Sequence, residues 1–164
     1  DYIALRYFNV AGADPKGRTG QSSRDATHLV KRACQAALRR IPYLEIYGTD
    51  YPTSDGTGIR DYIHVADLAS AHLVALDALR TSKGSGIYNA GYGRGFSVRD
   101  VIAAVEGIAG CALHVREGPR RAGDPPSIVA DATRLRDELG WTPRHDDLTE
   151  IVNSAYRWEI RLNA

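Results

Sequence analysis

The sequence predicts an α/β fold, on three observations. Short strand-like runs alternate with helical patterns along the chain, which is the order that builds α/β domains. The run 2–8, "YIALRYF", is apolar and aromatic, as a buried strand is. The segment 97–110 carries helix punctuation at both ends, with Ser97 and Asp100 in capping-box spacing at its start and Gly110 at its stop.

The elements follow in order. After the strand 2–8, "NVAGADPKGRTGQSSRD" (9–25) is expected to be one long polar loop, and loops of that length are usually functional or disordered. Residues 27–40 predict a helix with Leu29, Ala33, Ala36, Ala37 and the stem of Arg40 on one side. "LEIYG" (44–48) is a short strand closed by a glycine, and "TDYPTSDGTGI" is a second polar loop. "DYIHV" (61–65) predicts a strand. A helix over 66–80 follows, its stripe made of Val65, Leu68, Ala69, His72, Leu76 and Leu79. "GIYNAGY" (86–92) and "ALHVRE" (112–117) read as strands. Asp131 is expected to cap a short helix ending near Leu139, with Gly140 in the left-handed position. Asp147 and Glu150 open a last helix over 148–161.

Composition narrows the function classes. Hydrophobic residues make up 43% and charged residues 25% of 164 residues, enough for one globular core. A net charge of +1 gives no electrostatic reason to expect nucleic acid or an acidic membrane as partner. No apolar run approaches the ~18 residues of a membrane span. Cys34 and Cys111 stand in no metal-ligand spacing and read as reduced thiols of a cytoplasmic protein. The chain contains no methionine and enters a strand at once, so a piece of a longer chain is expected; a processed initiator methionine is the alternative.

Several features invite a sharper reading than they support. "GYGRGF" (91–96) lies between strand and helix, but its glycines alternate and do not match a dinucleotide fingerprint. The five histidines show no metal-ligand spacing; His72 is expected in the core and His64 in an interior hydrogen bond. Ser22 and Ser23 lack a nucleophile elbow. Asp14, Asp50 and Asp55 are expected to make turns.

One constellation remains. "PRRAGDPP" (119–126) puts two arginines and an aspartate in a loop stiffened by prolines, and Arg60 stands on the edge of another loop. Planar, permanently charged guanidinium groups suit a diphosphate. Asp124 can accept from ribose hydroxyls, and Asn9 ends the first strand, where α/β sites gather. These residues give a nucleotide-diphosphate half-site without catalytic machinery. None of the nine tyrosines has a lysine four residues later.

"LRYFNVAGADPKGRTG", "IYGTDYPTSDGTGIRDYIHVADLASAHLVAL", "YNAGYG" and "PRRAGDPPSIVADATRLRDELGW" together resemble the UDP-glucose 4-epimerases of the extended short-chain dehydrogenase/reductase family. The resemblance implies the C-terminal, UDP-sugar-binding part of an extended Rossmann-type fold. Residues 1–10 would be the last strand region of a nucleotide-binding domain that is otherwise absent from this sequence. It implies NAD as cofactor, UDP-galactose and UDP-glucose as substrates interconverted through a 4-keto intermediate, and a homodimer for the intact enzyme. Tyr7 and Phe8 would lie beside the cofactor, and Asn9, His28 and Leu29 at the substrate diphosphate. Glu45, Ile46 and Tyr47 would cradle uracil, Arg60 and Arg121 would grip the diphosphate, Asp124 would meet ribose, and Ile128 would stand near the sugar. The catalytic Tyr-x-x-x-Lys pair and the glycine fingerprint would precede this segment, leaving the chain inactive alone. Two alternatives stay open: a 4-epimerase for UDP-arabinose or UDP-N-acetylglucosamine, and a non-catalytic UDP-sugar-binding remnant.

Overall fold

The computed structural model describes residues 1–23 and 25–162. It is an α/β structure of short, mostly parallel strand pairs. Strand β1 (Ile3–Tyr7) runs parallel to β6 (Gly86–Ala90), with Ile3 opposite Gly86 and Tyr7 opposite Ala90. Strand β2 (Asn9–Ala11) pairs with β5 (Tyr62–His64), and β3 (Leu44–Tyr47) with β8 (Val115–Gly118), both parallel. A small mixed sheet sets β4 (Ile59–Arg60) between antiparallel β7 (Phe96–Ser97) and parallel β9 (Ser127–Ile128).

Helices α1 (Leu29–Ala37), α3 (Val98–Ala109) and α5 (Leu148–Arg161) pack against one another. Helix α2 (Val65–Arg80) lies against β1, and α4 (Thr133–Leu139) against β6. The core runs between them through Val30, Ala33, Cys34, Ile46, Ile63, Val101, Val105, Trp141, Ile151 and Val152. Burial pushes the Cys34 thiol up to about 12, so it is a packing group in the protonated form.

Local signals hold where they are strong. The Ser97–Asp100 capping box closes reciprocally, with Ser97 Oγ accepting from Asp100 N at 3.0 Å and Asp100 Oδ2 from Ser97 N at 2.8 Å. Gly110 and Gly140 end their helices in the left-handed region. Asp147 Oδ1 accepts from Glu150 N at the start of α5.

Four expectations are corrected. The long loop opens with a strand, β2, because Asn9–Ala11 finds a partner in β5. The helix expected over 27–40 contracts to α1, as His28 stays extended and Arg39 takes a positive φ of 56°. Asp131 does not occupy the N-cap position, which falls to Ala132, although its carboxylate accepts from Thr133 N. His72 is exposed, and so are Ala69 and Leu76 of its expected stripe. The buried side of α2 is instead Asp67, Leu68, Ala71, Ala75 and Ala78. Apolar residues surround most of this helix, so periodicity alone cannot choose the inward face.

Candidate functional site

Beside the end of β3 lies an open cavity of about 750 Å³. Separate chain segments build it. Asn9 comes from the start of β2, His28 and Leu29 from the start of α1, and Glu45, Ile46 and Tyr47 from β3. Arg60 comes from β4, and Arg121 and Asp124 from the loop after β8. Nine of the twelve site residues expected from sequence therefore face one cavity. The other three do not line it. Ile128 lies in β9 opposite Arg60. Tyr7 and Phe8 follow the line of β1, where the Tyr7 ring is half exposed and centred 6.4 Å from the His72 ring.

The charged groups are partly paired. Arg60 Nη2 donates to Asp124 Oδ1, and its Nη1 donates to Ile59 O at 2.7 Å. Both residues are partly shielded, so the pair is held more firmly than a surface ion pair. Arg121 places its guanidinium over the Tyr47 ring, 3.8 Å from the centroid. Its neighbour Arg120 does a different job: it donates to Asp50 Oδ1 at 2.7 Å and covers the Tyr51 ring at 4.4 Å. Glu45 folds across Gly118, where an added Cβ would stand 2.7 Å from Oε1.

The arginine loops are fixed from behind. Asp61, next to Arg60, is wholly buried. Its Oδ2 accepts from the N–H groups of Gly93 at 2.9 Å, Tyr92 at 3.0 Å and Ala130 at 3.2 Å. Asp67, in the first turn of α2, does the same, accepting from His145 N at 2.8 Å, Arg144 N at 3.0 Å and Tyr92 Oη at 2.8 Å. Asp55 makes the expected turn, its Oδ1 accepting from Thr57 N and Oγ1. Gly56, at φ +79°, is required there, since a Cβ would come 2.1 Å from Thr49 O.

Sequence reading missed part of the wall. Arg32, Tyr43, Tyr51 and Tyr62 also line the cavity. Two signals pointed to them: Tyr43 shares the strand parity of Glu45 and Tyr47, and Arg32 lies four residues after His28 on α1. Arg32 has no ion pair among the described residues, in contrast to Arg60. The glycines of "GYGRGF" serve packing. A Cβ on Gly91 would stand 2.5 Å from Ala130 Cβ, and one on Gly95 2.3 Å from Ile59 Cγ2. Close packing thus accounts for both glycines, in keeping with a spacing that does not match a dinucleotide fingerprint. Among the described residues no helix is long and apolar enough to cross a membrane.

An α/β frame that gathers side chains from distant segments into one cavity at strand ends belongs to the class that places its ligand site there. The chain belongs to the NAD dependent epimerase/dehydratase family, whose model matches residues 1–91. It is 59% identical over 160 residues to the UDP-glucose 4-epimerase of Azospirillum brasilense, covering 98% of this chain and 46% of that protein. It is 44% identical over 161 residues to UDP-arabinose 4-epimerase 1 of Arabidopsis thaliana, covering 96% of this chain and 38% of that one. The fold superposes with a TM-score of 0.93, at 41% identity, on the UDP-glucose 4-epimerase of Stenotrophomonas maltophila crystallised with NAD and formylated UDP-arabinopyranose. That match covers 98% of this chain and 48% of the solved one. The chain thus spans about half the length, or less, of the relatives it matches.

Proposed function

We propose that this chain is the UDP-sugar-gripping portion of a UDP-glucose 4-epimerase that interconverts UDP-galactose and UDP-glucose. The observation that carries the reading is the convergence of Asn9, Arg60, Arg121 and Asp124, from distant segments, on one cavity. In this reading Arg60 and Arg121 hold the diphosphate, with Asn9, His28 and Leu29 completing the cradle. Glu45, Ile46 and Tyr47 hold uracil, and Asp124 turns from Arg60 to a ribose hydroxyl as the anion arrives. Ile128 stands toward the sugar. NAD, when bound beside Tyr7 and Phe8, would supply the acceptor and donor for the C4 hydride. The residues present here hold the remote UDP while the sugar is left free to turn, so that binding energy on the non-reacting part retains the 4-keto intermediate.

Residues 1–10 then form the margin of the nucleotide-binding domain, with Tyr7 and Phe8 toward the cofactor. The exposed Tyr2 and Tyr7 side chains support a neighbour at that margin. The intact enzyme is read as a homodimer. A pentose substrate is the second reading, favoured by the likeness to a UDP-arabinose 4-epimerase.

Calorimetry tests the proposal. The chain is expected to bind UDP, and Arg60→Ala and Arg121→Ala are each expected to weaken it roughly tenfold or more, the size of a lost charge-assisted bond. No turnover of UDP-galactose is expected from this chain, since it lacks the Tyr-x-x-x-Lys pair. Absence of UDP binding would sink the reading; conversion to UDP-glucose would sink the division of labour. In an intact enzyme Arg60→Ala should raise the Michaelis constant for the UDP-sugar more than it loosens NAD.

A further inference from the structure

Tyr51 carries a polar atom that the fold leaves unused. The residue is 5% exposed, and its hydroxyl is buried with no hydrogen-bond partner among the described residues. A buried hydroxyl without a partner destabilises a protein, and phenylalanine would fill the same space without that penalty. The surrounding contacts nevertheless hold the ring in place. Arg120 covers its face while bound to Asp50. The Tyr51 N–H donates to Gly56 O at 2.9 Å. Gly48, at φ +86°, opens the space beside it: a Cβ there would stand 2.7 Å from Tyr51 Cε2 and 3.3 Å from Cζ. The hydroxyl end of the ring therefore adjoins the point where β3 ends, directly after Tyr47, and Tyr51 itself lines the large cavity.

We propose that the Tyr51 hydroxyl is a ligand-binding group of this cavity, bonding the nucleoside end of a nucleoside diphosphate. This rests on the reading of the cavity given under Proposed function. A neutral hydroxyl beside the Glu45–Tyr47 strand face suits a base or sugar edge, whereas the charges a diphosphate needs stand on Arg60 and Arg121. The oxygen is closed from bulk water, so a side chain must move before it bonds.

The test is Tyr51→Phe in this chain, read by calorimetry with UDP, by displacement of UDP with inorganic pyrophosphate, and by thermal melting. The dissociation constant for UDP should rise roughly three- to tenfold, the range of one neutral hydrogen bond. The affinity for pyrophosphate should not change, and the melting midpoint should stay equal or rise. Unchanged UDP affinity overturns the proposal. An equal loss for pyrophosphate overturns its assignment to the nucleoside end. A lower midpoint gives the hydroxyl a structural bond and also overturns it. If the unsubstituted chain fails to bind UDP, the nucleotide reading of the cavity falls first and this inference with it; failure confined to the variant leaves that reading intact.

Discussion

Asp61 accepts N–H groups from Tyr92, Gly93 and Ala130, and so ties the junction of β4 and β5 to the turns that follow β6 and β9. It does not itself line the cavity, yet it fixes the backbone from which Arg60 projects, and its carbonyl accepts from Asn9 N at 3.0 Å. Removing its carboxylate would leave three buried donors without an acceptor, each costing about 1–3 kcal/mol. Asp61→Ala is expected to lower unfolding free energy by roughly 3 kcal/mol or more in urea titration. Asp61→Asn, which keeps one acceptor oxygen, should cost less. Equal stability of Asp61→Ala and the parent chain would show that these bonds contribute nothing. Sequence reading passed over Asp61 and Asp67 because a buried aspartate looks like any loop or helix-start aspartate until its donors are known. Those donors lie 25 to 78 residues away, beyond any local pattern.

Helix α2 begins on a histidine. His64 Nδ1 accepts from Ala66 N at 3.1 Å, which caps the first turn. Ser154 Oγ donates to Ile151 O, so His64 Nε2 is the donor in its 3.2 Å bond to Ser154 Oγ. The imidazole is therefore neutral and carries its proton on Nε2. Burial first, and then the His145 ring centred 4.7 Å away, hold its pKa below the ordinary 6.5, against the opposing pull of Asp67, Glu150 and Asp14. The sign follows by linkage: below pH 6.5 the unfolded chain takes up a proton that the folded one refuses. This contribution to stability is complete above that pH and is lost as pH falls toward the lowered folded value. Urea midpoints should drop between pH 7.5 and 5.5, and the drop should shrink in His64→Asn, whose amide oxygen can still cap the helix. An equal slope in both proteins would assign the acid sensitivity elsewhere. Elements whose cues are local were legible: the Ser97 box, the Gly110 and Gly140 stops, the Asp147 cap. Strands β4, β7 and β9 were not, because two residues have no period and exist as strands only through each other.

The cavity joins residues from Asn9 to Asp124, and no spacing rule brings those segments together. Its residue types were legible one loop at a time, and their common wall through family resemblance. The Arg60–Asp124 pair and the stacking of Arg121 on Tyr47 needed coordinates. The same limit applied to helix α2, and it has a consequence for the whole molecule. Its inward side is made of small alanines against β1, which leaves Ala69, His72, Leu73 and Leu76 as an outward stripe at spacings of three and four. Leu73 is 63% exposed. Tyr7 lies beside His72, and β1 has β6 on one side and no strand on the other among the described residues. A helix apolar on both sides is normally covered on both, and exposed apolar patches beyond a few hundred Å² mark interaction or aggregation surfaces. The chain in isolation should therefore self-associate as its concentration rises, read by sedimentation. Leu73→Glu with Leu76→Glu should return it to a monomer while leaving the affinity for UDP unchanged, because neither side chain lines the cavity. Association that persists in the double variant would place the sticky surface elsewhere, at the open edge of β1.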